Sequence, residues 1–251
     1  MANLKPSLYT VLSPALLDLY QVKDTIVVVI DVLRATSTIA TALYNGASAV
    51  VPVDDISKCI ALGQSLKGIT AGERDGKIAD GLEFGNSPFE YPPAFIAEKT
   101  LVLTTTNGTR LLHMAVNRGA SHIITGTFPN LGAVCNYLIA QRLPVLLACS
   151  AWKDRVNIED TLFAGAVIKN VRQHFNINCD ASGIAESLYE AAQPDLFGFL
   201  KDKNATHYQR LSGFGLEKDL KYCLTVNIAN VLPFYENGKL VIHTGQNNLG
   251  S

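Results

Sequence analysis

The chain has 251 residues, 48% of them hydrophobic, and 21 Lys and Arg against 22 Asp and Glu give a formal net charge of −1. That is enough apolar material for one large α/β domain or two small ones, and balanced charge without a basic block leaves no electrostatic footprint for nucleic acid. No apolar run approaches the roughly 20 residues of a membrane span, and the start, MANLKPSLYTVLSP, lacks the basic and then apolar pattern of a secretory signal, so a cytoplasmic protein is expected.

Cys59, Cys135, Cys149, Cys179 and Cys223 are scattered without a C-x-x-C pair, and an odd number cannot all be bridged within one chain, so free thiols are expected. The sequence contains no H-E-x-x-H, phosphate-loop or nucleophile-elbow motif, and the first turn lacks the G-x-G-x-x-G of dinucleotide binders.

In chain order, Val27–Ile30 reads as a buried strand and the second half of residues 27–53 as an amphipathic helix of about three turns, with Asp31 and Arg34 at the joint, followed by Thr36, Ser37 and Thr38. Sliding the sequence by 73 positions lays residues 27–53 over 100–126, with Gly46-Ala47-Ser48 falling on Gly119-Ala120-Ser121. Each copy reads as strand, polar turn, helix, glycine C-cap, strand. Strand–helix–strand units normally form parallel neighbours, so the two polar turns are expected at one edge of the sheet. A third strand, Val145–Cys149, should deliver the loop SAWKDRVNIED to that edge, ahead of a helix from Ile158 to about Val171. Residues 71–93, rich in Gly and Pro, read as a long ordered loop. Beyond residue 180 the pattern turns to helices, a cap over about 180–222, and then to a hairpin centred on Asn237-Gly238. The expected whole is a single α/β domain over 1–251 with a largely parallel sheet.

Helix N-termini hold anions through free N–H groups and the helix dipole. The first copy adds Arg34, Thr36, Ser37 and Thr38; the second adds Asn107, Gly108, Thr109 and Arg110. Hydroxyls at helix starts are equally ordinary N-caps. Asp31, directly after four apolar residues, needs a partner, either a salt bridge to Arg34 or a metal ion. Glu73, Glu159 and Asp160 fall on the two other loops expected nearby, and carboxylate oxygens suit Mg²⁺. Asn157 with Asp160 three residues on also resembles a capping box. Together these parts point to phosphate held beside a divalent cation, hence phosphomonoester hydrolysis.

The segments DVLRATSTI, AGERDGKIADGLEFGNSP, TTTNGTR and CSAWKDRVNIEDTLFAGAV, in that order within residues 27–168, resemble the 2-phosphosulfolactate phosphatase family. The resemblance implies a three-layer α/β/α fold, a Mg²⁺ cofactor and hydrolysis of (2R)-2-phospho-3-sulfolactate, a step of coenzyme M biosynthesis. By motif it assigns Asp31, Arg34, Thr36 and Ser37 to the first signature and Glu73, Gly85, Asn86 and Ser87 to the second. Asn107, Gly108, Thr109 and Arg110 form the third, and Glu159 and Asp160 belong to the fourth. Asp31, Arg34 and Glu73 are the expected catalytic residues. Asp31, Glu73 and Glu159 or Asp160 are the expected metal ligands, with Asp31 as a covalent nucleophile the rival role. The fourth segment departs from the family pattern, SAWKDRVN standing where a shorter, glycine-rich stretch is usual. Arg74, Lys153 and Arg155 are further anion-binding candidates. The expected partner is a small anionic phosphoester, with no nucleic acid and no membrane; a homo-oligomer is left open, and the alternative activity is non-catalytic binding of an anionic metabolite.

Overall fold

The computed structural model describes residues 5–74, 77–105 and 107–244. Its strands are β1 (Leu8–Val11), β2 (Ile26–Ile30), β3 (Ala49–Val53), β4 (Ile69–Arg74), β5 (Lys77–Ile78), β6 (Thr100–Thr104), β7 (His122–Gly126), β8 (Val145–Cys149), β9 (Pro233–Glu236) and β10 (Lys239–Ile242). The helices are α1 (Ala35–Tyr44), α2 (Ile56–Leu66), α3 (Pro93–Ile96), α4 (Gly108–Asn117), α5 (Leu131–Gln141), α6 (Ile158–Val171), α7 (Asp180–Ala192), α8 (Leu196–Asp202), α9 (Thr206–Gly213) and α10 (Glu217–Cys223). The strands form one sheet in the order β1-β8-β2-β7-β9-β10-β3-β6-β4-β5.

Two parallel blocks make up that sheet. In one, β2 pairs with β7 and β8, and β8 with β1; in the other, β6 pairs with β3 and β4. The hairpin β9–β10 joins them through three successive antiparallel pairings, β7 with β9, β9 with β10 and β10 with β3, so the blocks run in opposite senses. Its turn is the expected one, Asn237 and Gly238 having φ of 51° and 82°, the left-handed pair a tight hairpin requires.

The repeat is therefore assembled differently from the sequence expectation. β2 and β3, the strands of the first copy, are not neighbours: α1 carries the chain from one block to the other, and α4 carries it back. The copies exchange partners instead, β2 pairing with β7 (Val28↔Ile124) and β3 with β6 (Val50↔Leu101). The physical reason is that β7 and β8 flank β2 on both sides, so no place beside it is left for β3, which the hairpin separates from β7.

Both faces of the sheet are covered, which is why its strands read as continuous apolar runs. On β2, Ile26, Val28 and Ile30 point into a core with α5, α6, α7 and the C-terminal helices, through Leu138, Phe163, Tyr189, Leu211 and Leu220. Val27 and Val29 point the other way, against Ile39 and Leu43 of α1 and Leu111 and Ala115 of α4. The result is a three-layer α/β/α arrangement with α7 to α10 stacked over one layer.

The glycine-rich segment 71–93 is only partly loop. β4 runs through Ala71 and Gly72 into the sheet beside β6, and β5 folds back on it, Glu73 opposite Ile78. A Cβ on Gly72 would lie 2.4 Å from Thr104 Cγ2, so close strand approach demands glycine there and removes the apolar period that marks a strand. Asp75 and Gly76 of this segment, and Thr106 of the third motif, lie outside the described residues. The five cysteines are free, and no helix among the described residues is long and apolar enough to cross a membrane.

Candidate active site

A pocket of about 270 Å³ opens where several chain ends converge. The β2–α1 joint contributes Asp31, Leu33, Arg34 and Ala35, the end of β4 contributes Glu73 and Arg74, and the segment that follows contributes Asn86. Thr105 and Asn107 come from the β6–α4 turn, Trp152 and Lys153 from the loop after β8, and His207, Arg210 and Leu211 from α9.

The two polar turns of the repeat meet directly. Gly108 N, at the start of α4, donates to Asp31 Oδ2 at 3.1 Å, so the helix terminus expected to bind an exogenous anion carries a carboxylate of the protein. A Cβ on Gly108 would lie 3.0 Å from that oxygen. Asp31 is partly buried, and desolvation raises its carboxyl pKa to about 6; nearby His207 opposes the rise, the charge of Glu159 adds to it, and the backbone N–H groups of Ala35 and Gly108 oppose it.

Asp31 does not pair with Arg34. Arg34 Nη1 instead donates to Asp219 Oδ2 of α10 at 2.5 Å, with side chains only 4% and 7% exposed. Asp160 accepts from Val32 N at 2.9 Å and Ala151 N at 3.2 Å, tying the β2–α1 joint to the loop after β8. Burial, then Glu159 and Asp31, push its carboxyl well above the usual range. The capping box read for Asn157 and Asp160 does not form, because Asn157 makes no side-chain cap to α6.

Glu159 lies beside a residue the sequence reading missed. Its Oε1 is 2.6 Å from His207 Nδ1, and His207 Nε2 is 3.0 Å from Arg210 Nη2. A guanidinium only donates, so Nε2 is the acceptor and Nδ1 carries the hydrogen given to Glu159. Glu159 Oε2 is buried with no hydrogen-bond partner among the described residues.

Several expected anion contacts turn inward. Thr36 Oγ1 accepts from Asp31 N, Ser37 Oγ donates to Val32 O and meets Thr127 Oγ1, and Thr109 Oγ1 meets Thr105 Oγ1. Ser87 caps the Pro88–Glu90 turn in a reciprocal capping box with Glu90. Arg110 forms a bidentate pair with Asp154 at 2.9 and 3.0 Å on a half-exposed surface. None of these residues, nor Gly108, lines the pocket; Asp31, Arg34, Glu73, Asn86 and Asn107 do. The hydroxyls sit in buried first turns, where backbone groups claim them. Asp219, His207, Arg210 and Trp152 were not singled out from the sequence. The i, i+3 spacing of His207 and Arg210 places them on one helix face, and that was the available signal.

Among the described residues no three His, Cys, Asp or Glu side chains converge as a ready-made metal cage. Mg²⁺ commonly uses one or two carboxylates together with water and substrate phosphate. Asp31 and Glu159 fit that pattern: they are close enough to influence each other electrostatically, and Glu159 has an orphaned buried oxygen. Asp160 fits less well, both of its oxygens being engaged by backbone N–H groups.

An α/β/α protein that surrounds the carboxylates of Asp31 and Glu159 with Arg34, Arg74 and Lys153 from segments following strands and Arg210 from α9 is built to hold a small polyanion. A family profile described as 2-phosphosulpholactate phosphatase matches residues 11–238, and the chain belongs to that family. A probable 2-phosphosulfolactate phosphatase of Thermotoga petrophila is 40% identical over 216 residues, 86% of this chain and 91% of that one. Similarly described proteins of Caldanaerobacter subterraneus subsp. tengcongensis and Synechocystis sp. are 35% identical over 228 residues, covering 89% of this chain and 92% of theirs, and 39% identical over 214 residues, covering 82% and 87%.

Proposed function

We propose that this protein is a Mg²⁺-dependent phosphatase that hydrolyses (2R)-2-phospho-3-sulfolactate to 3-sulfolactate and phosphate. The observation that carries the reading is the pairing of charges at one pocket: four cationic side chains for a substrate with phosphate, sulfonate and carboxylate, beside partly buried Asp31 and buried Glu159. Membership of the family and the likeness to relatives described as 2-phosphosulfolactate phosphatases support the choice of substrate. In this reading the enzyme works in the cytoplasm on a small phosphoester and its product serves coenzyme M biosynthesis.

Arg34 is the phosphoryl clamp. Its Nη1 is spent on Asp219, which fixes the plane of the guanidinium and leaves other N–H groups for phosphoryl oxygens. Asn107 and Asn86 offer neutral polar groups on the same pocket wall. Asp31 and Glu159 would hold Mg²⁺, with Glu73 also lining the pocket, and the bound ion would supply neutralisation of phosphoryl charge and a bound water of lowered pKa. Ionised Asp31 is held in place by Gly108 N, so the carboxylate meets the reacting group already oriented.

Phosphate release from phosphosulfolactate, phospholactate and 2-phosphoglycerate, each with Mg²⁺ and with chelator, tests the proposal. The highest kcat/KM on phosphosulfolactate, lost on chelation, is expected. Binding of these anions without phosphate release would instead identify a non-catalytic metabolite-binding module.

A further inference from the structure

The α9 side of the pocket is also constructed. Arg210 Nη2 is held by His207 Nε2 at 3.0 Å, and His207 is held in turn by buried Glu159. The guanidinium carbon of Arg210 lies 4.9 Å from the centre of the Trp152 ring, and Lys153 Nζ is also 4.9 Å from that centre. Arg210 Nε is nonetheless buried with no hydrogen-bond partner among the described residues, an uncommon state for a guanidinium nitrogen. A cation oriented by a relay and an indole face, lining a pocket with a donor to spare, lacks an acceptor.

We propose that Arg210 binds the second anionic group of the substrate, sulfonate or carboxylate, and so determines specificity, with His207 and Trp152 as positioning residues. The inference rests on the phosphatase reading for the identity of that substrate. Arg34, pinned by Asp219, holds the phosphoryl end, whereas Arg210 belongs to a different helix and a separate hydrogen-bonded chain. Two independently fixed guanidinium groups on one pocket suit a ligand with anions at both ends.

The test compares wild type with Arg210→Gln and Arg210→Lys on three phosphoesters: phosphosulfolactate, phospholactate, which lacks the sulfonate, and the phosphate ester of isethionate, which lacks the carboxylate. In Arg210→Gln the kcat/KM preference for phosphosulfolactate over one truncated substrate should fall at least ~30-fold, mainly through KM, as expected for loss of a charge-assisted contact. A fallen preference over phospholactate assigns the sulfonate; one over the isethionate ester assigns the carboxylate. Arg210→Lys should recover part of the preference, and His207→Leu should lose part of it. Parallel losses on all three substrates in folded protein, with both preferences intact, would overturn the proposal. Calorimetric binding of 3-sulfolactate and inorganic phosphate separates this inference from the reaction itself. Weakened sulfolactate binding relative to phosphate in Arg210→Gln supports it even if wild type releases no phosphate, and equal weakening of both refutes it.

Discussion

Arg34, at the β2–α1 joint, and Asp219, on α10, form a buried ion pair at 2.5 Å across 185 residues of sequence, so the C-terminal helices fix a group at the start of α1. Asp219→Asn leaves a buried guanidinium without its countercharge. A stability loss of about 3 kcal/mol is expected, as for other broken buried pairs, with kcat/KM reduced ~100-fold. Denaturant unfolding and phosphate-release kinetics check both numbers. Near-normal values for each would mean that Arg34 keeps its place and its function without Asp219.

Asp31 gives a pH signature. Its pKa is raised from 3.8 to about 6 on folding, so the folded state holds this proton more tightly than the unfolded chain does. The metal-free protein should therefore lose about 3 kcal/mol as pH rises through that window, the cost being absent below it and complete above it. Asp31→Asn should be more stable than wild type near pH 8 without metal, by about 2 kcal/mol, with the gain fading near pH 4. Its phosphate release should fall at least ~100-fold. Unfolding curves across pH, with and without Mg²⁺, measure the first effect, and Mg²⁺ should narrow the gap.

Gly108 is set by proximity to that carboxylate. The added methyl of Gly108→Ala would lie 3.0 Å from Asp31 Oδ2 and must displace it. A ~10-fold loss in kcat is expected, with stability changed by no more than about 1 kcal/mol, since a small misplacement of a reacting group costs more in rate than in folding. Unchanged kcat in this variant would separate Asp31 placement from turnover.

The hairpin is structural. Leu240, fully buried on β10, pairs with Val50 of β3 where the blocks join. Leu240→Ala should cost about 3 kcal/mol in denaturant unfolding, the usual range for a deleted core leucine. A loss under about 1 kcal/mol would mean that the blocks hold together without it.

Local features were legible in the sequence. Val145–Cys149 and Ile158–Val171 match β8 and α6, and Asn237-Gly238 forms its turn, because apolar runs and turn residues act over a few positions. The meeting of the two polar turns also emerged, through Gly108 and Asp31. The hairpin between the blocks was hidden, since strand order depends on pairings between distant segments. Asp219, His207 and Arg210 were hidden for the same reason: a polar residue on a C-terminal helix gives no sign of which strand end it covers. The hydroxyls of Thr36 and Ser37 engage backbone groups and that of Thr109 engages Thr105, because a hydroxyl at a helix start serves the protein's own groups as readily as a ligand.

Single-turnover phosphate release from phosphosulfolactate, followed for wild type and Asp31→Asn in Mg²⁺ and in chelator, is the most direct test. Rapid release by wild type in Mg²⁺ alone, lost on chelation and lost in Asp31→Asn, is the predicted result. Release at the wild-type rate by folded Asp31→Asn, or undiminished release in chelator, would contradict a metal-assisted phosphatase centred on Asp31.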